Sequence, residues 1–502
     1  MSIGEAAPPT SSQLTHADGR VVHKNLALVV VAISQLMVVL DATIVNVAIP
    51  SIRTALHVSS EADLQWIVTA YTLTFGGFLL LGGKLADRIG RRRVFVSGAA
   101  LFAVASFLGG IAGSLGLLIA ARALQGIGGA LMSPAALSLI TVIFAEGRER
   151  NKALGIWSTI TAAGAALGLI LGGLLTEYAS WRWVLFVNVP VAVLAFMGAE
   201  RFVPESRDET AQGFDVPGAV LVTGGLMALV FALVKGNAYG WGSGKTVGTL
   251  LLAAVLLAAF YVVQRRVAAP LVPFRLFKSR SLAGADIGAV FVGAGIFAMF
   301  FFVILWMQVV NGWSPVKAGF AFLPMPALIG VSAGISANLL SKIGPRPLLT
   351  IGPILSGLGL LMLGLRLEPH SSYVSVLLPS ITLVALGMGA AFVALTSSAV
   401  AGVPQEDAGI ASALLNAGQQ VGGALGLAIL TAVSTTRTTH LTHQFVPTGP
   451  NDPRLTTALV QGWGLGFVVG AIFLAVAAIV MTSLVRVSKE AAAEALREGV
   501  AA

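Results

Sequence analysis

The chain has 502 residues, 56% of them hydrophobic and only 11% charged, with a net charge of +9. A soluble domain carries about 25% charged residues, so the charges here are too few to clothe a water-facing surface, and soluble functions are excluded. With no cysteine, disulfides, thiolate metal sites and cysteine nucleophiles are excluded as well.

Residues 1–25 are polar, with scattered Pro, Ser and Thr. They read as a disordered cytoplasmic tail, and no short apolar stretch with a small-residue cleavage site suggests a removed signal peptide. Apolar runs of about twenty residues follow, the length that crosses ~30 Å of hydrocarbon. There are fourteen, near 26–49, 64–83, 94–113, 115–143, 154–176, 183–200, 216–236, 247–264, 282–305, 317–340, 348–367, 375–400, 409–435 and 460–484. Backbone groups in lipid must be satisfied internally, so each run is a helix.

Span 1 carries Asp41 and Asn46. A carboxylate in mid-span is unfavourable by about 2.5–3.5 kcal/mol and usually faces a cavity where it handles protons or cations. The bland alternative is a hydrogen-bonding packing residue. Span 2 carries Phe75 and Phe78 and runs into the hairpin Gly83-Lys84-Leu85-Ala86-Asp87-Arg88-Ile89-Gly90-Arg91-Arg92-Arg93. Span 4 holds Arg122, a permanent charge that needs an acceptor or water at membrane depth. Span 5 holds Gly164, Gly168, Gly172 and Gly173. Small residues four apart let helix backbones approach closely, either as plain packing or as a smooth face on which two halves rock. Span 9 contains Asp286, six residues after Arg280 and open to two readings: a second proton or cation site, or an interfacial partner of Arg280. The same span holds Phe291, Phe297 and Phe301, and span 13 holds Asn416 and Gln420. These aromatic and amide residues are candidates for a cavity wall, with lipid contact the alternative for the phenylalanines. The six histidines fall in tails or loops and form no metal constellation.

If both termini are cytoplasmic, 22 of the 31 Lys and Arg residues fall on the inner side, 8 on the outer side, and Arg122 within a span. The bias favours that orientation and accounts for the positive charge without nucleic acid. The chain also repeats itself at an offset of 254. Gly90 pairs with Gly344, Gly155 with Gly409, and Gly164, Gly168 and Gly172 with Gly418, Gly422 and Gly426. Spans 1–6 and 9–14 are therefore related halves, with spans 7 and 8 inserted, and a site between halves marks alternating-access transporters. Asp41 and Arg122 have Gly295 and Val376 as counterparts, so both charges belong to the first half alone. The expected organisation is a tail (1–25), a six-helix bundle (26–200), linkers with two inserted helices (201–281), a second six-helix bundle (282–484) and a cytoplasmic tail (485–502).

Span 1 ends Leu40-Asp41-Ala42-Thr43-Ile44-Val45-Asn46-Val47-Ala48-Ile49-Pro50, and span 4 reads Arg122-Ala123-Leu124-Gln125-Gly126-Ile127-Gly128-Gly129. With the Gly83–Arg93 hairpin, the span 5 glycines, Trp181-Arg182-Trp183, Asn188-Val189-Pro190 and Gly312-Trp313-Ser314-Pro315, this resembles the major facilitator superfamily from Leu26 to Leu484. More narrowly, it resembles its fourteen-span drug:proton antiporters of the QacA/EmrB type. The resemblance implies an all-α membrane fold of two six-helix bundles plus two inserted helices. It implies proton coupling through Asp41 and Arg122, with Asp286 the further candidate for proton coupling that the span itself suggests. It also implies a latch of Gly83, Asp87, Arg88, Gly90 and Arg91, with Asp87 against the positive N-terminal end of span 13. The glycines of span 5 would be an antiporter motif, although Leu169 stands where exporters usually have proline. Pro204-Glu205-Ser206 is shared with uptake relatives. The implied function is proton-driven export of lipophilic, cationic small molecules such as antibiotics across a bacterial inner membrane. The proton gradient would be the energy source, with no cofactor, no metal, no nucleic acid partner and no enzyme activity. The alternatives are a proton-coupled uptake symporter on the same fold and a membrane sensor that transports nothing.

Overall fold

The computed structural model describes residues 23–208, 213–401, 403–404, 407–449 and 452–497. The expectation of a disordered N-terminal tail falls mostly on residues 1–22, and the last five residues of the C-terminal tail are 498–502. Both stretches lie outside the described residues.

Fourteen helices are long and apolar enough to cross a membrane. Spans 1–8 are Lys24–Ala55, Glu61–Ile89, Arg91–Gly110, Leu115–Ile143, Arg148–Tyr178, Trp183–Phe202, Val216–Tyr239 and Gly244–Arg266. Spans 9–14 are Arg280–Val310, Pro315–Ile343, Pro345–Arg366, Tyr373–Val400, Ala408–Thr442 and Pro453–Leu484. The number matches the count of apolar runs. Several helices extend beyond those runs, because a helix continues with polar residues once it has left the hydrocarbon. Span 1 passes through Pro50 to Ala55, and span 5 begins at Arg148. The C-terminal tail is not all loose chain. Lys489–Arg497 is a short helix that packs on spans 10 and 12 and buries Ala492 and Ala495.

Within the first half, spans 1, 5 and 6 pack together, as do spans 2, 3 and 4. The second half repeats the scheme, with span 9 against spans 13 and 14 and span 11 between spans 12 and 14. The repeat is also visible in the backbone. Gly90 and Gly344 close spans 2 and 10 with φ of 130° and 78°, a region where a side chain would be strained. Spans 7 and 8 pack on each other, and span 7 lies along spans 2 and 13. Its Leu226, Val230 and Val234 meet Leu73 of one half and Ala424 and Ala428 of the other.

The glycine ladders lie inside the halves. Gly164 and Gly168 of span 5 pack on Leu36, Val39, Leu40 and Thr43 of span 1, and a methyl on Gly172 would come within 2.8 Å of the Ile44 carbonyl. Gly422 and Gly426 of span 13 pack in the same way on Val290 and Ala294 of span 9. The reading of these ladders as a sliding face between halves is thereby corrected, because each joins two spans of one bundle. The exception is Gly173, where a methyl would lie 2.8 Å from the Pro315 carbonyl of span 10. We expect Gly168→Leu and Gly422→Leu to lower the yield of monodisperse protein, since overpacking a tight contact destabilises by about 1–3 kcal/mol. Gly173→Leu should fold and transport slowly. Size-exclusion chromatography and efflux on the same preparations separate the two outcomes.

Candidate functional site

Asp41 lies midway along span 1 with none of its surface exposed, and Arg122 is 1% exposed. Arg122 Nη1 donates to Asp41 Oδ2 at 2.5 Å and to Gln125 Oε1 at 2.9 Å, while its Nε donates to the Ile67 carbonyl at 3.1 Å. The other carboxylate oxygen accepts from Gln125 Nε2 at 3.1 Å and Asn188 Nδ2 at 2.7 Å. Gln125 Nε2 also donates to Ser106 Oγ at 2.8 Å, and the guanidinium lies 4.3 Å from the centre of the Tyr71 ring. The site thus joins spans 1, 2, 3, 4 and 6. Arg122 and Gln125, three residues apart, occupy one face of span 4. Asp41 was expected to face a cavity. Instead it is enclosed in the first bundle, with a fixed cation and two amides saturating its oxygens.

Asp286 is 8% exposed, and neither of its carboxylate oxygens has a hydrogen-bond partner. The alternative of an Arg280 partner is not realised, since six residues along a helix do not share a face. The cavity candidates separate. Phe75 is buried, stacked on Tyr71 and set against Gly129, and Phe291 lies edge-on to Phe473 of span 14. Phe301 is buried against Phe302. Phe75 and Phe301 are buried packing residues, and Phe291 is partly exposed. Phe78 packs beside Ala219 and Leu271 of the inserted region, and Phe297 lies on Gly423. Asn46 and Asn416 each donate to the carbonyl four residues back, and Gln420 sits at Gly76 of span 2. Asn46 and Asn416 are at least partly exposed.

Hydrogen bonds between the bundles, among the described residues, run from Gln308 Nε2 to the Val47 carbonyl (2.9 Å), from Val316 N to Glu177 (2.9 Å) and from Trp463 Nε1 to Glu61 (3.2 Å). All three lie toward the face opposite the termini. On the face that carries the termini, Asp87 pairs with Arg91 of its own hairpin at 2.9 Å, and its carbonyl accepts from Asp208 N. The resemblance placed Asp87 at the start of span 13, and no described hydrogen bond makes that contact. Asp407, the residue capping span 13, is held instead by both terminal nitrogens of Arg275, at 2.6 and 2.7 Å. Lys84 of the hairpin donates to the Pro270 carbonyl at 2.5 Å. The segment 270–275 therefore ties the hairpin to span 13 on this face. Glu205 accepts from Arg92 N and Arg93 N, each at 3.2 Å, and so caps the start of span 3. This cap is the structural work of Pro204-Glu205-Ser206.

Gln125 and Asn188 stand in the motifs that carried the resemblance, yet neither had been given a role, and Ser106 had no signal at all. The Arg275–Asp407 pair joins residues 132 apart and was likewise invisible. We expect Asp87→Asn to slow turnover severalfold while leaving substrate affinity unchanged, because Asp87 lies on the hairpin and not against the bundle core. Binding and efflux measured on one preparation check this, and lost affinity with normal turnover would be the opposite result.

The profile of the Major Facilitator Superfamily matches residues 31–427. The puromycin resistance protein pur8 of Streptomyces alboniger is 44% identical over 411 residues, covering 81% of each chain. The cephamycin export protein CmcT of Amycolatopsis lactamdurans is 40% identical, covering 81% of this chain and 84% of that one. The tetracenomycin C resistance and export protein of Streptomyces glaucescens is 38% identical, covering 82% and 76%. Among solved structures, the POT family transporter PepTSo superposes with a TM-score of 0.67 at 16% identity, over 91% of this chain and 97% of the other. A bacterial homologue of the human lysosomal transporter Spinster gives 0.65 at 19%, over 92% and 97%. These similarities, with fourteen spans in two repeated bundles, establish that the chain belongs to the major facilitator superfamily, as a multi-pass membrane transporter rather than an enzyme, among relatives named for antibiotic resistance and export.

Proposed function

We propose that the protein exports lipophilic, cationic small molecules of the antibiotic class in exchange for protons. It does so in a bacterial plasma membrane with both termini in the cytoplasm. The observation that carries this reading is the enclosed Asp41–Arg122 pair. A buried ion pair is poor evidence of stability, since apolar groups of similar volume usually serve as well. A carboxylate kept at membrane depth by one cation and two amides is suited to gain and lose a proton.

The direct hydrogen bonds between the bundles lie on the opposite face, and the positive residues cluster on the face that carries the termini, which supports placing that face in the cytoplasm. Substrate enters between the bundles from the cytoplasm or the inner leaflet. It does not share Asp41, whose oxygens are already occupied. Coupling runs through the bundle. Protonating Asp41 cancels the charge that Arg122 holds, while Arg122 Nε keeps its bond to the Ile67 carbonyl at the start of span 2. The packing of spans 1, 2, 4 and 6 is thereby biased toward the other conformation. One charge moved across the membrane is worth ~2.3 kcal/mol per 100 mV, enough to bias such an equilibrium. The names of the relatives, which include puromycin and tetracenomycin C, support the substrate class.

Transport in everted vesicles tests the direction. Energised vesicles should accumulate puromycin or ethidium and release it when the pH gradient is collapsed. Movement only out of the vesicle lumen would support uptake by symport and overturn the export reading.

A further inference from the structure

Five carboxylates of the described residues are almost fully buried: Asp41, Asp215, Asp286, Asp407 and Asp452. Four are saturated. Asp41 has Arg122 and two amides, Asp215 has Gly218 N and Gln264, Asp407 has Arg275, and Asp452 has Arg454 and Thr448. Only Asp286 has no partner on either oxygen.

Among the described residues, no side chain donates a hydrogen bond to its carboxylate. Asp286 shares a helix face with Val290, Gly293 and Phe297 by the spacing i, i+4, i+7, i+11. Those three meet Gly422, Gln419 and Gly423 of span 13. Span 13 has no charged side chain between Ala408 and Arg437, and at this level it offers the bare backbone of Gly418. Span 14 presents Met481, Leu484 and Val485 to the opposite side of span 9. Two of the charged groups at this end of the bundle are otherwise engaged. Arg275 holds Asp407, and Arg346 Nε donates to the Thr482 carbonyl at 2.9 Å. Lys278, Arg280 and Arg486 make no hydrogen bond to Asp286. An ionised carboxylate buried without a counter-charge or donor is strongly unfavourable. The group that fits this site is a carboxylic acid holding its own proton.

We propose that Asp286 is a second proton-binding site, carried by the second bundle, so that each half of the transporter holds one exchangeable carboxyl. This deepens the proton-exchange reading and rests on it. The two sites are unlike. Asp41 is paired with Arg122, whereas Asp286 has no partner on either oxygen. They also lie at different depths. Gly295 is the repeat counterpart of Asp41, and Asp286 precedes it by nine residues, about 13 Å nearer the cytoplasmic face at 1.5 Å per residue. Asp286 is also about 9 Å from the start of span 9 at Arg280. It therefore holds a proton where a small change in the packing of span 9 on span 13 would expose it to the cytoplasm. If each carboxyl takes up a proton from outside and releases it inside, one cycle moves two protons.

Infrared difference spectroscopy of the purified full-length protein between neutral and alkaline pH reads a buried carboxylic acid directly, without transport. We expect a protonated-carboxyl band that disappears at alkaline pH, is absent in Asp286→Asn and persists in Asp41→Asn. Asparagine is close in shape to the neutral acid, so Asp286→Asn should fold with unchanged thermal stability. Asp286→Glu should restore a shifted band. In proteoliposomes, the ratio of protons to puromycin at the reversal potential should fall by one whole unit in Asp286→Asn. A wild-type spectrum without the band, or a band unaffected by Asp286→Asn, would overturn the proposal. Gradient-driven efflux that survives in Asp41→Asn would instead overturn the parent reading, and the two failures are distinct.

Discussion

Replacing Asp41 with asparagine is expected to reduce pH-gradient-driven efflux to the level of empty vesicles. Asparagine preserves the shape of the side chain and can still accept from Gln125 and Asn188, but it cannot ionise. It also leaves the Arg122 guanidinium buried without a counter-charge, and removing one partner of such a pair destabilises by about 3–5 kcal/mol. The single variant should therefore melt at a lower temperature as well as fail in transport. Asp41→Asn combined with Arg122→Gln separates the effects. With both charges gone no ion is stranded, so thermal stability should return while gradient-driven efflux does not. Recovery of efflux in the double variant would show that the pair only supports the fold.

Arg122→Ala should shift the pH at which cationic substrate binding is half-maximal upward, because it removes the adjacent opposite charge. The sign follows from the pair at 2.5 Å. With the cation present, the ionised carboxylate is favoured. Without it, the carboxylate form of Asp41 has no counter-charge and the exchange stalls. Raising the pH should then partly restore binding in Arg122→Ala. Arg122→Lys keeps a charge but cannot serve Asp41, Gln125 and the Ile67 carbonyl together, because an ammonium lacks the planar fork. It should retain partial transport with a smaller shift. Binding titrations of ethidium across pH, on wild type and both variants, read this directly. An unchanged midpoint in Arg122→Ala would make Arg122 a packing residue.

Much of this architecture was legible in the residues. Twenty apolar residues between polar breaks have few alternatives to a spanning helix, which is why the span count matches. Asp41 and Arg122 were conspicuous because a charge at mid-span is unfavourable enough to need a reason. Their partners were not, because Gln125, Asn188 and Ser106 are uncharged and neutral polar residues occur in any span. Phe75, offered as a cavity candidate, is buried against Tyr71 and Gly129, because an aromatic ring looks the same in sequence whether it meets a ligand, lipid or another ring. The glycine ladders were visible, but a spacing of four tells that a helix is approached closely and not by which neighbour. The repeat carried the missing information, since span 5 on span 1 and span 13 on span 9 are the same contact in two copies. The contact expected for Asp87 belongs to a face that is closed, and here that face is bridged by Lys84, the segment 270–275 and Asp407.

The central claim is exchange: substrate and protons cross in opposite directions through one protein. Proteoliposomes holding a pH-sensitive dye and purified protein test it whatever the orientation of the inserted molecules. A puromycin gradient directed out of the lumen, imposed with no pH difference, should acidify the lumen as protons enter against departing substrate. The acidification should vanish in Asp41→Asn. Alkalinisation of the lumen would mean that proton and substrate travel together, and puromycin efflux with no pH change would mean that they are not coupled, and either result would contradict the account.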